Sequence, residues 1–377
     1  MYQVVLQIIT QLCICVLLCV IYTAISLSYI SKNKLSYNNT YSDKALKNIM
    51  FYLLIIMCAI YNDGGDYYTY RKWFLYGMGE TANTDDWVEP IYYWIKSVLP
   101  SYYILFRLVV WGTGIFVYKK LCEKIGINLI LAYILFGVFY TSAYSYARAS
   151  LGIMIISYAF VMFFKNESKS KIYYLKVLLL FAFATLLHKS CLSLIFILFF
   201  SLFLKLNKKT LILLVVMFTP LSMVLDSSLG IISENIGLND IQSARYFKTD
   251  GVSVERSSAI NSFYPILILL SISIYKLFKN RKQLPRYIKR ITLATIAILY
   301  AASLLSTMNI TLAQTISLRF YLMAFVLGLV CIAYVIQNIG IKKNILIALI
   351  VWDVLFRLYG IVVTIKSGAP QLVERFY

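Results

Sequence analysis

Apolar runs long enough to cross a bilayer recur from one end of this chain to the other, and they leave no space between them for a large soluble domain. Charged residues make up 14% of the chain and hydrophobic ones 61%, against roughly a quarter charged in a soluble domain. With a mean hydropathy of +0.77, most of the surface has lipid rather than water as its solvent. The opening stretch from Val4 to Leu27 is too long and too uniformly apolar for a signal-peptide core and has no basic residue before it, so it reads as the first span.

A formal net charge of +20 would suit a nucleic-acid partner, but the placement of the charge excludes that class. Lys and Arg fall in short clusters between apolar runs: Lys32 to Lys47, Lys119 to Lys124, Lys165 to Lys176, Lys205 to Lys209, Lys276 to Arg290, and Lys342 with Lys343. Cytoplasmic loops of membrane proteins carry such clusters. The alternate connections hold nearly all the acids, including Asp63, Asp66, Glu80, Asp85, Asp86 and Glu89 in one loop and Glu234, Asp240, Asp250 and Glu255 in another. Those loops face outward.

The pattern predicts an all-α polytopic integral membrane protein, a single transmembrane domain over residues 1–377 with about twelve transmembrane helices. Expected spans lie near 4–28, 48–61, 101–118, 127–144, 147–164, 172–188, 190–205, 210–229, 259–278, 291–308, 318–336 and 344–363. Both termini then lie outside. The span 48–61 is short, and the apolar run around His188 is divided into two short spans so that Lys205 to Lys209 stays on the cytoplasmic side. Two outer loops are large, 62–100 and 230–258. In the first, Val88, Ile91, Tyr92, Ile95, Val98 and Leu99 recur at helical spacing, which predicts an amphipathic helix on the membrane surface before Pro100, with Tyr92, Tyr93 and Trp94 in the interfacial belt.

Seven cysteines lie mostly inside apolar runs and form no C-x-x-C pair, so neither a zinc site nor a disulfide framework is expected. The spacing of Asp63, Asp66, Asp85 and Asp86 matches no calcium or magnesium loop. No metal and no cofactor is expected.

A charged side chain at membrane depth costs roughly 3 kcal/mol or more, so each marks a function or a buried pair. Arg107 lies inside a span, and Asp353 and Arg357 stand four residues apart on one helix face; an architectural clamp between helices is the alternative to a substrate contact for these. Arg148 stands alone between apolar runs in Tyr144-Ser-Tyr-Ala-Arg-Ala-Ser-Leu-Gly152. Arg319 opens the segment Arg319-Phe-Tyr-Leu, and Arg245 sits in the second outer loop. Guanidinium groups gathered on one side of the membrane suit an anionic head group, because the planar fork matches phosphate and stays charged; snorkelling to lipid phosphates is the alternative for each alone. His188 is the only histidine and reads as a general base or hydrogen-bond donor, or as a satisfied residue at a helix turn. The segment Tyr61-Asn-Asp-Gly-Gly-Asp-Tyr-Tyr-Thr-Tyr70, echoed by Trp87-Val-Glu-Pro-Ile-Tyr92, mixes carboxylates with aromatics as sugar-binding surfaces do.

These residues resemble the EpsG-like branch of the Wzy-type bacterial polysaccharide polymerases. The matching pieces are Gly65-Asp-Tyr67 with Tyr70 and Phe74, Glu89-Pro-Ile-Tyr92, Arg148 opening a span, Ala184 to Ser190 around His188, Arg245-Tyr246, and Arg319-Phe-Tyr321. Ala149 stands where the family often has a glutamine. The resemblance implies a fold like that of the GT-C-like membrane glycosyltransferases, in the bacterial inner membrane, working at its outer, periplasmic face. It implies transfer of a growing glycan from undecaprenyl pyrophosphate to the terminal sugar hydroxyl of a lipid-linked repeat unit, with a chain-length regulator as a further partner and no nucleotide sugar.

For that reaction, Arg148 with Arg245 and Arg319 would hold the pyrophosphate, and Asp66, Glu89 or His188 would accept the hydroxyl proton. Tyr67, Tyr70, Tyr92, Tyr246, Arg107 and Arg357 are the remaining expected substrate contacts. A carboxylate beside arginines is a weaker base, which leaves the base open. Two other readings stay open: a flippase or transporter for lipid-linked oligosaccharide, which would hold polar groups near the midplane, and a membrane O-acyltransferase working through His188.

Overall fold

The computed structural model describes residues 2–32, 41–61, 71, 73–74, 89–99, 102–140, 146–165, 170–188, 190–210, 212–213, 216, 264–307 and 311–366. Among them there is no strand; the chain runs as α1 (Tyr2–Lys32), α2 (Tyr41–Ile60), α3 (Pro90–Val98), α4 (Tyr103–Ile125), α5 (Leu129–Phe139), α6 (Ala147–Lys165), α7 (Lys171–Leu187), α8 (Cys191–Phe203), α9 (Tyr264–Lys279), α10 (Arg286–Thr307), α11 (Thr311–Asn338) and α12 (Lys343–Lys366). Four stretches are long and apolar enough to cross a membrane by length and composition: Cys13–Lys32, Ala147–Lys165, Arg286–Ser306 and Ile316–Asn338. This is the architecture of a helical membrane protein.

Neighbouring helices pack in a circuit α1, α2, α4, α6, α8, α10, α9, α12 and back to α1, with α11 and α5 held inside it. The apolar windows of α6 and α11 are 83% buried, against 28% for α1. A helix apolar all round belongs in an interior rather than at a surface, and these two carry Arg148 and Arg319. The span expected over 127–144 is shorter than predicted: α5 ends at Phe139, with residues 130 to 139 all buried. Its apolar run fills the interior instead of reaching across. Conversely, α2 starts at Tyr41, seven residues before the expected 48, so its 20 residues are not short. The break at His188 falls where expected, between α7 and α8.

The basic clusters gather at one end of the bundle. Lys165 at the end of α6 donates to the carbonyl of Lys124 at the end of α4, and Arg290 of α10 donates to the carbonyls of Ser201 (2.8 Å) and Leu204 at the end of α8. Each cation thereby satisfies helix-terminal acceptors that have no intrahelical partner. The same helices place Arg148 and the α7–α8 link at the opposite end.

Candidate functional site

Glu89 owes its position to the proline after it. Pro90 occupies the first turn of α3, where its fixed φ and missing N–H cost nothing, and Glu89 becomes the extended N-cap with φ −67° and ψ 141°. Its side chain makes no cap bond, and both carboxylate oxygens turn inward. Oε2 accepts from Arg148 Nη1 at 2.6 Å, and Oε1 meets His188 Nδ1 at 2.9 Å. The carboxylate and the guanidinium are each 4% exposed at the side chain, the imidazole 13%. Three side chains separated by 59 and 99 residues in sequence therefore form one buried cluster.

Arg148 stands in the first turn of α6, where the helix dipole disfavours a cation. Its neutralisation comes from Glu89, and from the Tyr92 ring, whose centroid lies 5.3 Å from the guanidinium carbon. The Tyr92 hydroxyl donates to the Arg148 carbonyl at 3.4 Å. Tyr92 is thus fully buried under the cluster rather than in the interfacial belt. The helix expected there is α3, and of its apolar positions Tyr92 is buried and Ile91, Ile95 and Leu99 pack against the core, whereas Val98 is exposed with Trp94, and Tyr93 packs edge-on against Trp73 at 5.2 Å.

His188 is pinned on both sides of the helix break. Its amide donates to the Ala184 carbonyl at 3.0 Å, ending α7, and its carbonyl accepts from the Cys191 amide at 2.9 Å, opening α8. Gly152, one turn along α6 from Arg148, lets this link approach: a Cβ there would stand 2.8 Å from Cys191 Sγ, 3.3 Å from the Ala184 carbonyl oxygen and 3.4 Å from His188 Cβ. With Nδ1 on the carboxylate, Nε2 is left buried and, among the described residues, without a hydrogen-bond partner.

The electrostatics separate the roles. Burial pushes the Glu89 carboxyl upward, but the His188 hydrogen bond and the Arg148 charge outweigh it and hold the group below its ordinary range. His188, in the link outside both helices, is held below its ordinary value by burial; the Glu89 bond opposes this, and the Arg319 and Arg148 charges add to it. The arrangement is an ionised carboxylate, a cation, and a neutral imidazole whose Nδ1 donates to the carboxylate.

Arg319 enters from α11. Its guanidinium lies over the Tyr146 ring at 4.8 Å, just before α6, and its charge acts on both His188 and Cys191. Arg148 and Arg319 therefore converge on one site. Arg107, fully buried in α4, donates through Nε to the Ala59 carbonyl (2.8 Å) and through Nη2 to the Cys58 carbonyl (2.6 Å). These bonds tie α4 to the end of α2. Asp353 is buried in α12, while the Arg357 side chain and the whole of Asp66, Tyr67, Tyr70, Arg245 and Tyr246 lie outside the described residues. Among the described residues no group of three His, Cys, Asp or Glu side chains is placed to hold a metal ion. Gly152 and Ser190 were not singled out from sequence; a glycine one turn from an isolated intramembrane arginine was the available signal.

A helical membrane protein with a buried carboxylate and guanidinium pair, an imidazole bonded to the carboxylate and a second, half-buried guanidinium is the class that fold and site define. The chain belongs to the EpsG family, whose model matches residues 44–373. No curated protein and no solved structure matches it. Family membership supports a role in polysaccharide polymerisation.

Proposed function

We propose that this protein polymerises a surface glycan, transferring the growing chain from undecaprenyl pyrophosphate to the terminal sugar hydroxyl of a lipid-linked repeat unit. The reading rests on one observation above the rest: Arg148 and His188 are joined through the same Glu89 carboxylate, at 2.6 and 2.9 Å. A polymerase of this type needs a cation for the departing pyrophosphate and a base for the attacking hydroxyl within reach of one another.

In the proposed step the acceptor oxygen bonds to the donor's anomeric carbon as the bond from that carbon to the pyrophosphate oxygen breaks. The acceptor proton goes to His188 Nε2, and the electron pair of the broken bond leaves on the pyrophosphate. Arg148 and Arg319 stabilise that growing negative charge, which is larger in the transition state than in the bound donor. Glu89 is too well stabilised as an anion to take the proton; it fixes the imidazole's orientation and favours the imidazolium that forms. The polarity of the basic clusters supports a site on the outer face of the bacterial inner membrane, within about twelve spans. Asp66, Tyr67, Tyr70, Tyr92, Arg245, Tyr246, Arg107 and Arg357 remain proposed sugar and pyrophosphate contacts. A chain-length regulator is the proposed protein partner.

Sizing the surface glycan of a deletion strain tests this function. Single capped repeat units in place of a polymer are expected. Loss of all repeat units from the surface would favour a transporter, and unchanged chain length with ester-linked acyl groups missing would favour an acyltransferase.

A further inference from the structure

Ser190 carries a hydroxyl to which the described residues supply no hydrogen bond. It is the N-cap of α8, a position where serine ordinarily accepts from a first-turn amide, yet its side chain makes no cap bond. Its Oγ is buried and, among the described residues, has no hydrogen-bond partner. The imidazole two residues earlier repeats the anomaly, with Nε2 buried and without a partner. Burying such groups unsatisfied costs roughly 1–3 kcal/mol each, and two in one three-residue link is more than a fold tolerates without a reason.

The link is held against the face of α6 that carries Arg148. Cys191, next to Ser190, reaches within 2.8 Å of where a Gly152 Cβ would stand, and it feels the charges of Glu89 and Arg319. The two unsatisfied atoms have complementary chemistry. A neutral imidazole nitrogen accepts but does not donate, which suits a hydroxyl and not a phosphate oxygen; a serine hydroxyl does both.

We infer that Ser190 Oγ and His188 Nε2 together form the acceptor subsite, holding two neighbouring hydroxyls of the acceptor sugar. This rests on the polymerase reading and names the residue that reading lacks. The attacked hydroxyl donates to His188 Nε2, and the hydroxyl beside it exchanges a hydrogen bond with Ser190. Ser190 is thus a binding residue that fixes which hydroxyl faces the imidazole, while the arginines hold the donor.

The test uses full-length protein in lipid vesicles, preformed lipid-linked polymer as saturating donor, and labelled single repeat units at varied concentration. Ser190→Ala is expected to raise the acceptor KM about 10-fold, the worth of one hydrogen bond to substrate, with kcat within about twofold. Ser190→Thr, which keeps the hydroxyl, is expected to restore most of the difference. Thermal stability of Ser190→Ala should not fall, because the hydroxyl makes no bond within the fold. An unchanged acceptor KM in Ser190→Ala, or a loss of stability matching the loss of activity, overturns the inference while leaving the polymerase reading intact. Absence of any extension by the unsubstituted protein would count against the polymerase reading itself.

Discussion

Replacing Gly152 with alanine adds one methyl group at the point where α6 meets the α7–α8 link. That carbon would lie 2.8 Å from Cys191 Sγ, whereas ordinary contact begins at about 3.5 Å, so the link must retreat by roughly 0.7 Å. The Ala184 carbonyl at 3.3 Å and His188 Cβ at 3.4 Å bar an easy sideways escape. His188 moves with the link, because its amide and carbonyl are bonded to Ala184 and Cys191. A misplacement near 1 Å costs about 10²-fold in rate, so Gly152→Ala is expected to lose about 10- to 100-fold in kcat. Overpacking should also lower stability by about 1–3 kcal/mol. Adding Cys191→Ala removes the sulfur and should recover most of both losses, leaving only the two contacts above 3.2 Å. Extension of labelled repeat units in vesicles and thermal unfolding in detergent measure the two effects. Full activity in Gly152→Ala, or equal impairment with and without the sulfur, would refute the idea that this approach positions His188.

Two further outcomes follow from the same cluster and a third from Arg107. Glu89→Gln breaks the buried ion pair with Arg148 and is expected to destabilise the protein by about 3–5 kcal/mol in thermal unfolding. The folded Glu89 carboxyl titrates below its ordinary value, so this contribution is full above the unfolded pKa near 4.3 and is lost as pH falls through the folded one; the stability gap between the two proteins should hold from neutral pH to about pH 5 and close below it. Because His188 is held below 6.5, the acid limb of kcat/KM should have its midpoint below that value, and Glu89→Gln should move it lower by removing the bond that raises it. Arg107→Ala, which uncaps the end of α2, should lower the unfolding temperature while leaving kcat of the folded protein within a few-fold, and a kcat loss without a stability loss would place Arg107 in the chemistry after all.

The residues of the site are legible in the sequence as members of one site, but the direct contacts among them are not. Arg148 and His188 stand out because an isolated cation and a lone imidazole are conspicuous between apolar runs. Glu89 stands out as a candidate base beside Asp66 and His188, but its role as the link between Arg148 and His188 does not, since nothing in spacing tells a carboxylate which way its N-cap will turn. Arg107 shows the converse limit. Its burial was readable, but its partners are the Cys58 and Ala59 carbonyls, and backbone acceptors at a helix end leave no mark in side-chain composition. Among the described residues the helices stand where apolar periodicity puts them, while the span expected over 210–229 and the outer loop 230–258 lie outside the described residues but for 210, 212–213 and 216; α5 and α2 differ in length from the expected spans. Tyr92 was assigned to the interface by residue type, and the pull of a cation on its ring places it inside.

The central claim is that Arg148 stabilises charge on a departing pyrophosphate beside a Glu89-oriented His188. Single-turnover extension of lipid-linked repeat units by vesicle-reconstituted protein tests it most directly. Arg148→Ala is expected to slow the step by about 10²- to 10³-fold, and Arg148→Lys, a point charge in place of a planar fork, to recover only part of it. Normal-length polymer made at an unchanged rate by folded Arg148→Ala protein would contradict the account.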